Sequence, residues 1–147
     1  MAYHINANKV QLMPLSLDDV IRENRNEIQL RLANVKEIDT VAKKIDLPFH
    51  VKDEMDDWRL ISLINKINGT TNILLAGDSK TEHQPCITSP IVAIDFEQGI
   101  AFTQNHSVYK LGNRGLGEPP KFNLLCIGAA IHAWGNIPEP SIPHCIH

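Results

Sequence analysis

Asp53, Glu54, Asp56 and Asp57 place four carboxylates within a five-residue span. Grouped acids of this kind can meet a basic partner or imitate phosphate. They do not form a calcium loop, which needs alternating oxygen ligands and a central glycine. Acids gathered at the start of a helix also complement its dipole without any further role. The four residues are therefore a candidate interaction surface rather than a metal site.

The other chemistry-bearing residues are scattered. Cys86 and His106 could pair as nucleophile and base, but no nucleophile elbow and no helix start lies beside Cys86 to activate its thiol. A small buried cysteine in a strand is the simpler account. Asp95 and Glu97 are carboxylates of the type that hydrolyse glycosides as a pair, yet they fall on a strand end and a turn, where acids are ordinarily solvated. Residues 112–117, GNRGLG, have the glycine density of a phosphate loop. They lack its GK[ST] ending, and Pro119 and Pro120 intervene before any helix. A flexible connector fits better. His144, Cys145 and His147 could gather a metal with Cys126 or His132, but no CxxC or HxxxH pair fixes that geometry. No catalytic, metal-binding or cofactor-binding set emerges, and no cofactor is expected.

Residues 40–58 have the outline of a helix-turn-helix. Its second helix would turn Asp53, Glu54, Asp56 and Asp57 toward phosphate, where a recognition helix needs Lys, Arg or neutral donors. Nucleic acid is thus not an expected partner.

The elements that must position these residues differ between the two halves. Residues 86–111 read as short strands joined by tight turns. A β-branched run at 91–94 is followed by a turn at 97–99, a strand at 100–103, a turn at 104–106 and a strand at 108–111. Spacing this short permits only antiparallel hairpins. Thr88, Ser89 and Pro90 bend the chain into this meander. The run at 91–94 is apolar on both faces and needs cover on both sides. Residues 123–134, NLLCIGAAIHAW, supply a helix apolar nearly all round, and it is the expected cover. Leu124, Ile127, Ile131 and Trp134 recur at helical spacing, which suits either a core face or an oligomer interface.

Before residue 70 the pattern suggests helices. Ser16 caps a short helix at 16–25, after which Ile28, Leu30 and Leu32 alternate as a strand over 27–33. One continuous helix to residue 44 is the alternative. Ile38, Val41, Ala42 and Ile45 suit a second helix ended by Pro48. Asp53 caps a third, with Trp58, Ile61, Ile64 and Ile67 as its apolar positions. Residues 73–76 form a strand and residues 77–84 a mobile polar loop. Residues 3–12 suit a short strand, and residues 136–147 an extended tail.

At 147 residues the chain suits a single domain: a mainly helical part over 1–70 with one or two short strands, then a meander and helix over 71–135. Residues 1–75 hold 10 of the 14 Lys and Arg and 11 of the 17 Asp and Glu, so the first half is the more solvated. The net charge of −3 is mild, and the sequence shows neither a basic tract nor an acidic tail. Three cysteines without paired spacing suit a reducing compartment. The start MAYHINANKVQL lacks the features of a signal peptide, and no apolar run reaches membrane-spanning length. A soluble cytoplasmic protein is expected.

Thr88 and Ser89, the strand end at Asp95, the Tyr109-Lys110-Leu111 strand and the helix closing on Trp134 and Gly135 resemble small uncharacterised bacterial proteins of mobile gene cassettes and phage-like elements. The resemblance covers about a third of the chain. It implies a bacterial accessory gene and a compact meander packed on a helix, and it carries over no catalytic residues. The expected fold is α+β: an antiparallel meander, open or curled into a small barrel, packed against helices from both ends. The expected function is non-enzymatic binding or protein interaction, with self-association through 123–134. The alternatives are a ligand-binding or enzymatic cleft between the sheet and the N-terminal helices, or an immunity or anti-defence protein whose acidic 53–57 face meets a basic partner.

Overall fold

The computed structural model describes residues 13–135. The expected strand at 3–12 and tail at 136–147 lie outside these residues. The chain is α+β. Ser16 Oγ accepts from Asp19 N and starts helix α1, Leu17–Val20, with Asp18 and Asp19 in its first turn. A 3-10 turn at Arg22–Asn24 leads into strand β1, Ile28–Leu32. This is the helix-then-strand alternative, and it excludes a continuous helix to residue 44. Asn34 and Glu37 form a capping box at the head of α2, Val35–Val41. The helix is shorter than the expected run to Ile45, because Ala42 leaves it to bridge Ile94.

Seven strands form one sheet. The others are β2, Val51–Asn65, β3, Thr71–Ser79, β4, Gln84–Ile87, β5, Ile91–Asp95, β6, Ile100–Thr103, and β7, Val108–Leu111. Their order is β4-β3-β2-β7-β6-β5, and β1 also pairs with β2. The sheet is not closed into a barrel. Its pairings are antiparallel except β2–β7, which is parallel and joins the meander to the first half of the sheet. Helix α3, Lys121–Gly135, closes the described chain. No helix among the described residues is long and apolar enough to cross a membrane.

The largest departure from expectation is β2, which occupies the place of the third helix. Trp58, Ile61 and Ile64 mimic a helical stripe by drawing on both faces of the strand, and Ile67 lies in the turn beyond its end at Asn65. A register shift between Asp56 and Arg59 marks a bulge at its start. The stretch after it, Trp58, Arg59, Leu60, Ile61 and Ser62, is buried on both faces, so no polar alternation marks it as a strand. The helix-turn-helix outline falls with that helix, and so does the mainly helical first half. The polar loop at 77–84 also shortens, since β3 runs to Ser79 and β4 begins at Gln84.

Each face of the sheet has its own core. On one face Met55, Trp58 and Leu60 of β2 pack with Ile73 and Leu75 of β3, Ile94, Ala101 and Tyr109 of the meander, and Val41 of α2. On the other, Ile61, Leu74 and Ala76 pack with Leu30 of β1, Leu17 and Ile21, and Leu124, Ile127 and Ala130 of α3. Thus α3 covers the β1–β4 part of the sheet rather than β5. The outer side of the meander is closed by Ile45, which packs with Ala93, Ile100 and Val108.

Candidate functional site

The bulge in β2 organises one end of the sheet. Asp57 sits there at φ 48, a left-handed conformation that costs a non-glycine residue about 1–2 kcal/mol. The neighbouring strand must come very close: a Cβ on Gly77 of β3 would lie 2.7 Å from Asp56 O and 3.0 Å from Trp58 Cα. Only glycine fits between them.

Arg59, 8% exposed, holds the bulge from the far side. Its Nε donates to Gly117 O at 2.7 Å and its Nη2 to Leu116 O at 2.8 Å. Its Nη1 donates to Asp57 O and pairs with Asp57 Oδ2 at 3.1 Å. Gly112 N donates to Met55 O, Trp58 N to Asn113 O and Gly115 N to Trp58 O, so this segment continues the parallel pairing of β7. Trp58 Nε1 donates to Gly112 O, and the Arg114 guanidinium lies 5.1 Å from the Trp58 ring centroid. The glycine-rich run 112–117 is therefore clamped along β2 and is not a flexible connector.

The β3–β4 turn is fixed as firmly. Buried Asp53 accepts from Ser79 Oγ, and from Thr81 through both its backbone N and its Oγ1. Glu82 N donates to Ser79 Oγ, and Lys80 Nζ pairs with Glu54 Oε2 at 3.2 Å. His83 closes the turn at φ 55.

Between this turn, the bulge and the head of α3 lies an open cleft of about 820 Å³. Asp56, Asp78, Lys80 and His83 supply its charged and titratable groups, and Pro85 and Phe122 an apolar wall. Asp56 and Asp78 are directly opposed partners across β2 and β3. Like charges in that position repel. The hydrogen bond from Asn113 N to Asp56 Oδ1, 2.9 Å, is the main reason that the Asp56 carboxyl is held below its ordinary value of 3.8. Asn123, 5% exposed, donates from Nδ2 to Asp78 Oδ1 at 3.0 Å and to Gly77 O at 3.4 Å. Both neighbours are acceptors, so the amide can point only its nitrogen at them. Its Oδ1 receives no donor among the described residues, and neither does Asp78 Oδ2. No buried side-chain nitrogen or oxygen among the described residues is left without a hydrogen-bond partner.

A second concavity of about 810 Å³ lies between α1, the ends of β1 and β2, and α3. Pro14 and Trp134 border it, beside the two ends of the described chain. The walls named for the first cleft all lie well inside that chain.

The four acids do not form one face. Asp53 is buried beneath the turn, Glu54 pairs with Lys80, Asp57 pairs with Arg59, and Asp56 faces the cleft. Of the α3 residues, Leu124 and Ile127 are fully buried against the chain's own sheet, whereas Ile131 and Trp134 are half-buried at its margin. Cys86 is inside the core, and His106 is exposed in the β6–β7 turn. Asp95 is not a solvated turn acid. It accepts from Ile45 N at 3.0 Å and from Gln98 Nε2, Gln98 N and Glu97 N, in that order of effect on a carboxyl lowered from 3.8 to about 2; burial opposes them. Glu97 offers only its backbone. No group of three His, Cys, Asp or Glu side chains among the described residues could hold a metal ion. Residues 144–147 lie outside them.

Asp78 and Asn123 line the cleft and Arg59 holds the bulge beside it, yet none of them stands out in the sequence. Asp78 looks like loop, and Asn123 like the cap of an apolar helix. The one available signal was the glycine before Asp78, which marks a close approach of two strands. No protein-family model, curated protein or solved structure matches the chain.

Proposed function

We propose that this protein is a non-enzymatic binding protein whose working surface is the cleft beside the β2 bulge. The observation that carries this reading is the cleft itself, which sets the opposed pair Asp56–Asp78 beside the apolar wall of Pro85 and Phe122. A like-charge pair weakens a sheet. Here it is held by a left-handed residue, a glycine that admits no side chain and a buried arginine. Local strain of this kind is concentrated where binding needs a fixed geometry. The groups are fixed acceptors beside an apolar wall, an arrangement that suits holding a ligand.

A fragment library screened by amide-resolved NMR tests this. Hits should perturb Lys80, His83 and Gln84 and weaken when Phe122, exposed at 74%, is changed to Ala. Hits that map elsewhere, or that ignore the Phe122→Ala change, would remove the cleft from consideration.

A second reading is self-association through the outer side of α3. Phe122, Leu125, Ala129 and His132 recur at helical spacing and are all exposed. This stripe is distinct from Leu124 and Ile127, which the sheet already covers. Light scattering decides it: a dimer converted to monomer by Leu125→Glu supports the stripe, and a monomeric parent chain ends the reading.

A further inference from the structure

We propose that Asn68 is a site of spontaneous covalent modification, at which the Gly69 nitrogen attacks the side-chain amide, expels ammonia and leaves a carboxylate in the β2–β3 turn. This goes beyond the binding reading and does not depend on it.

Asn68 is the only asparagine in the sequence that is followed by glycine. The attacking group is the backbone nitrogen of the next residue, and a Cβ on that residue crowds its approach. Gly69 has none, and the space that a Cβ would fill holds no atom within 4 Å. Asn68, Gly69 and Thr70 are all exposed, so water and base reach the turn.

The turn also prepares the side chain. Asn68 Oδ1 accepts from Thr70 N at 3.0 Å and from Thr70 Oγ1 at 2.7 Å. A side chain bonded to the nitrogen two residues on is folded over the intervening peptide, which contains the attacking nitrogen. The same two donors hold the oxygen on which negative charge develops when that nitrogen adds to Cγ. One contact opposes the reaction, since Gly69 N donates to Asn65 O at 2.8 Å. That bond lies at an exposed hairpin end, where local opening costs little and frees the nitrogen.

Nothing is oxidised or reduced. Gly69 N gives its proton to base and bonds to Asn68 Cγ. The bond from Cγ to the amide nitrogen breaks, and that nitrogen leaves as ammonia with a proton from water. Water then opens the cyclic imide at either carbonyl, giving an aspartate or its β-linked isomer at position 68. Both products add one negative charge. The isomer also inserts a methylene into the main chain between Asn65 and Thr70, whose backbone hydrogen bond of 2.8 Å closes the hairpin.

The test is incubation of the full chain in mildly alkaline water enriched in heavy oxygen, followed over time by peptide mapping with mass spectrometry. Asn68 should convert at least roughly tenfold faster than Asn105, which is also exposed in a turn but is followed by His106. Its product should carry one heavy oxygen. Thr70→Val should slow the conversion roughly threefold to tenfold, the kinetic equivalent of one neutral hydrogen bond, and Thr70→Ser should restore it. Conversion at Asn68 no faster than at Asn105 overturns the proposal. A rate unchanged by Thr70→Val overturns the part assigned to Thr70.

Discussion

Asp95 and Asp78 both lie at strand ends of one sheet, and the fold uses them in opposite ways. Asp95 receives four hydrogen bonds, two from the turn that follows it, one from the Gln98 amide and one from Ile45 N. It ties the meander to the chain that leaves α2. Asp78 receives one, from Asn123, and faces another aspartate across the strands. A carboxylate saturated by its own chain is a structural joint. One with an oxygen left over, in a cleft, is available to something else. The same contrast runs through the glycines: Gly99 in the meander serves a left-handed turn with open space around it, whereas Gly77 serves a close approach of two backbones.

The sharpest way to break this contrast is to add one methyl group to each region. Gly77→Ala forces a Cβ to 2.7 Å from Asp56 O, a backbone atom that cannot rotate away. We expect a loss of about 2–3 kcal/mol by chemical denaturation. Gly99→Ala meets no atom within 4 Å and suffers only its φ of 70°, so its cost should be nearer about 1 kcal/mol. Equal costs would mean that the bulge is looser than its geometry indicates.

Arg59→Met is next in size. It keeps most of the buried stem but leaves Gly117 O, Leu116 O and Asp57 without their donor. A loss of about 2 kcal/mol is expected, since hydrogen bonds to charged groups are worth more than neutral ones and Asp57 regains water. Arg59→Lys should recover little of it, because one ammonium cannot reproduce a fork that spans two carbonyls and a carboxylate. Hydrogen exchange should then rise in residues 112–117 and stay unchanged in the meander. Spread of the effect to β5 and β6 would show that the two regions are one cooperative unit.

Acid separates them by sign. The Asp95 carboxyl is lowered from 3.8 to about 2, first by Ile45 N and then by Gln98. A lowered folded-state value stabilises fully above the unfolded value and is lost as pH falls through the folded one. The melting temperature should therefore drop between pH 4 and pH 2. Asp95→Asn should melt lower than the parent chain at neutral pH and approach it at about pH 2. A constant gap over that window would assign the loss to geometry rather than to charge.

The meander was legible because each of its strands is short and each turn is marked by Gln98-Gly99 or Asn105-His106, so local chemistry alone sets the hairpins. The β1 strand was legible for the same reason, through the alternation of Ile28, Leu30 and Leu32. The bulged strand was not. Its stretch 58–62 is buried on both sides, so apolar residues from two opposite faces line up at spacings of three. The cleft was harder still, since Asp78 and Asn123 are 45 residues apart and meet only after α3 packs on β3. Asp56 was visible as one acid among four, but its neighbours' burial and pairing, which single it out, depend on contacts made by Ser79, Lys80 and Arg59.

The smallest expected effect is the one most specific to the comparison. Asp78→Asn removes one charge of the opposed pair and keeps an oxygen that can still accept from Asn123 Nδ2. If Asp78 were a structural joint like Asp95, the change should lower stability. Because it instead opposes Asp56, its loss should raise the melting temperature by about 1–3 °C at low salt, the scale of one relieved cross-strand repulsion. Added salt should shrink the gain, since an open cleft admits screening ions. The same change at Asp95 has the opposite sign, so the two variants measured side by side form an internal control. A loss at both positions would mean that Asp78, too, is held by its own chain alone.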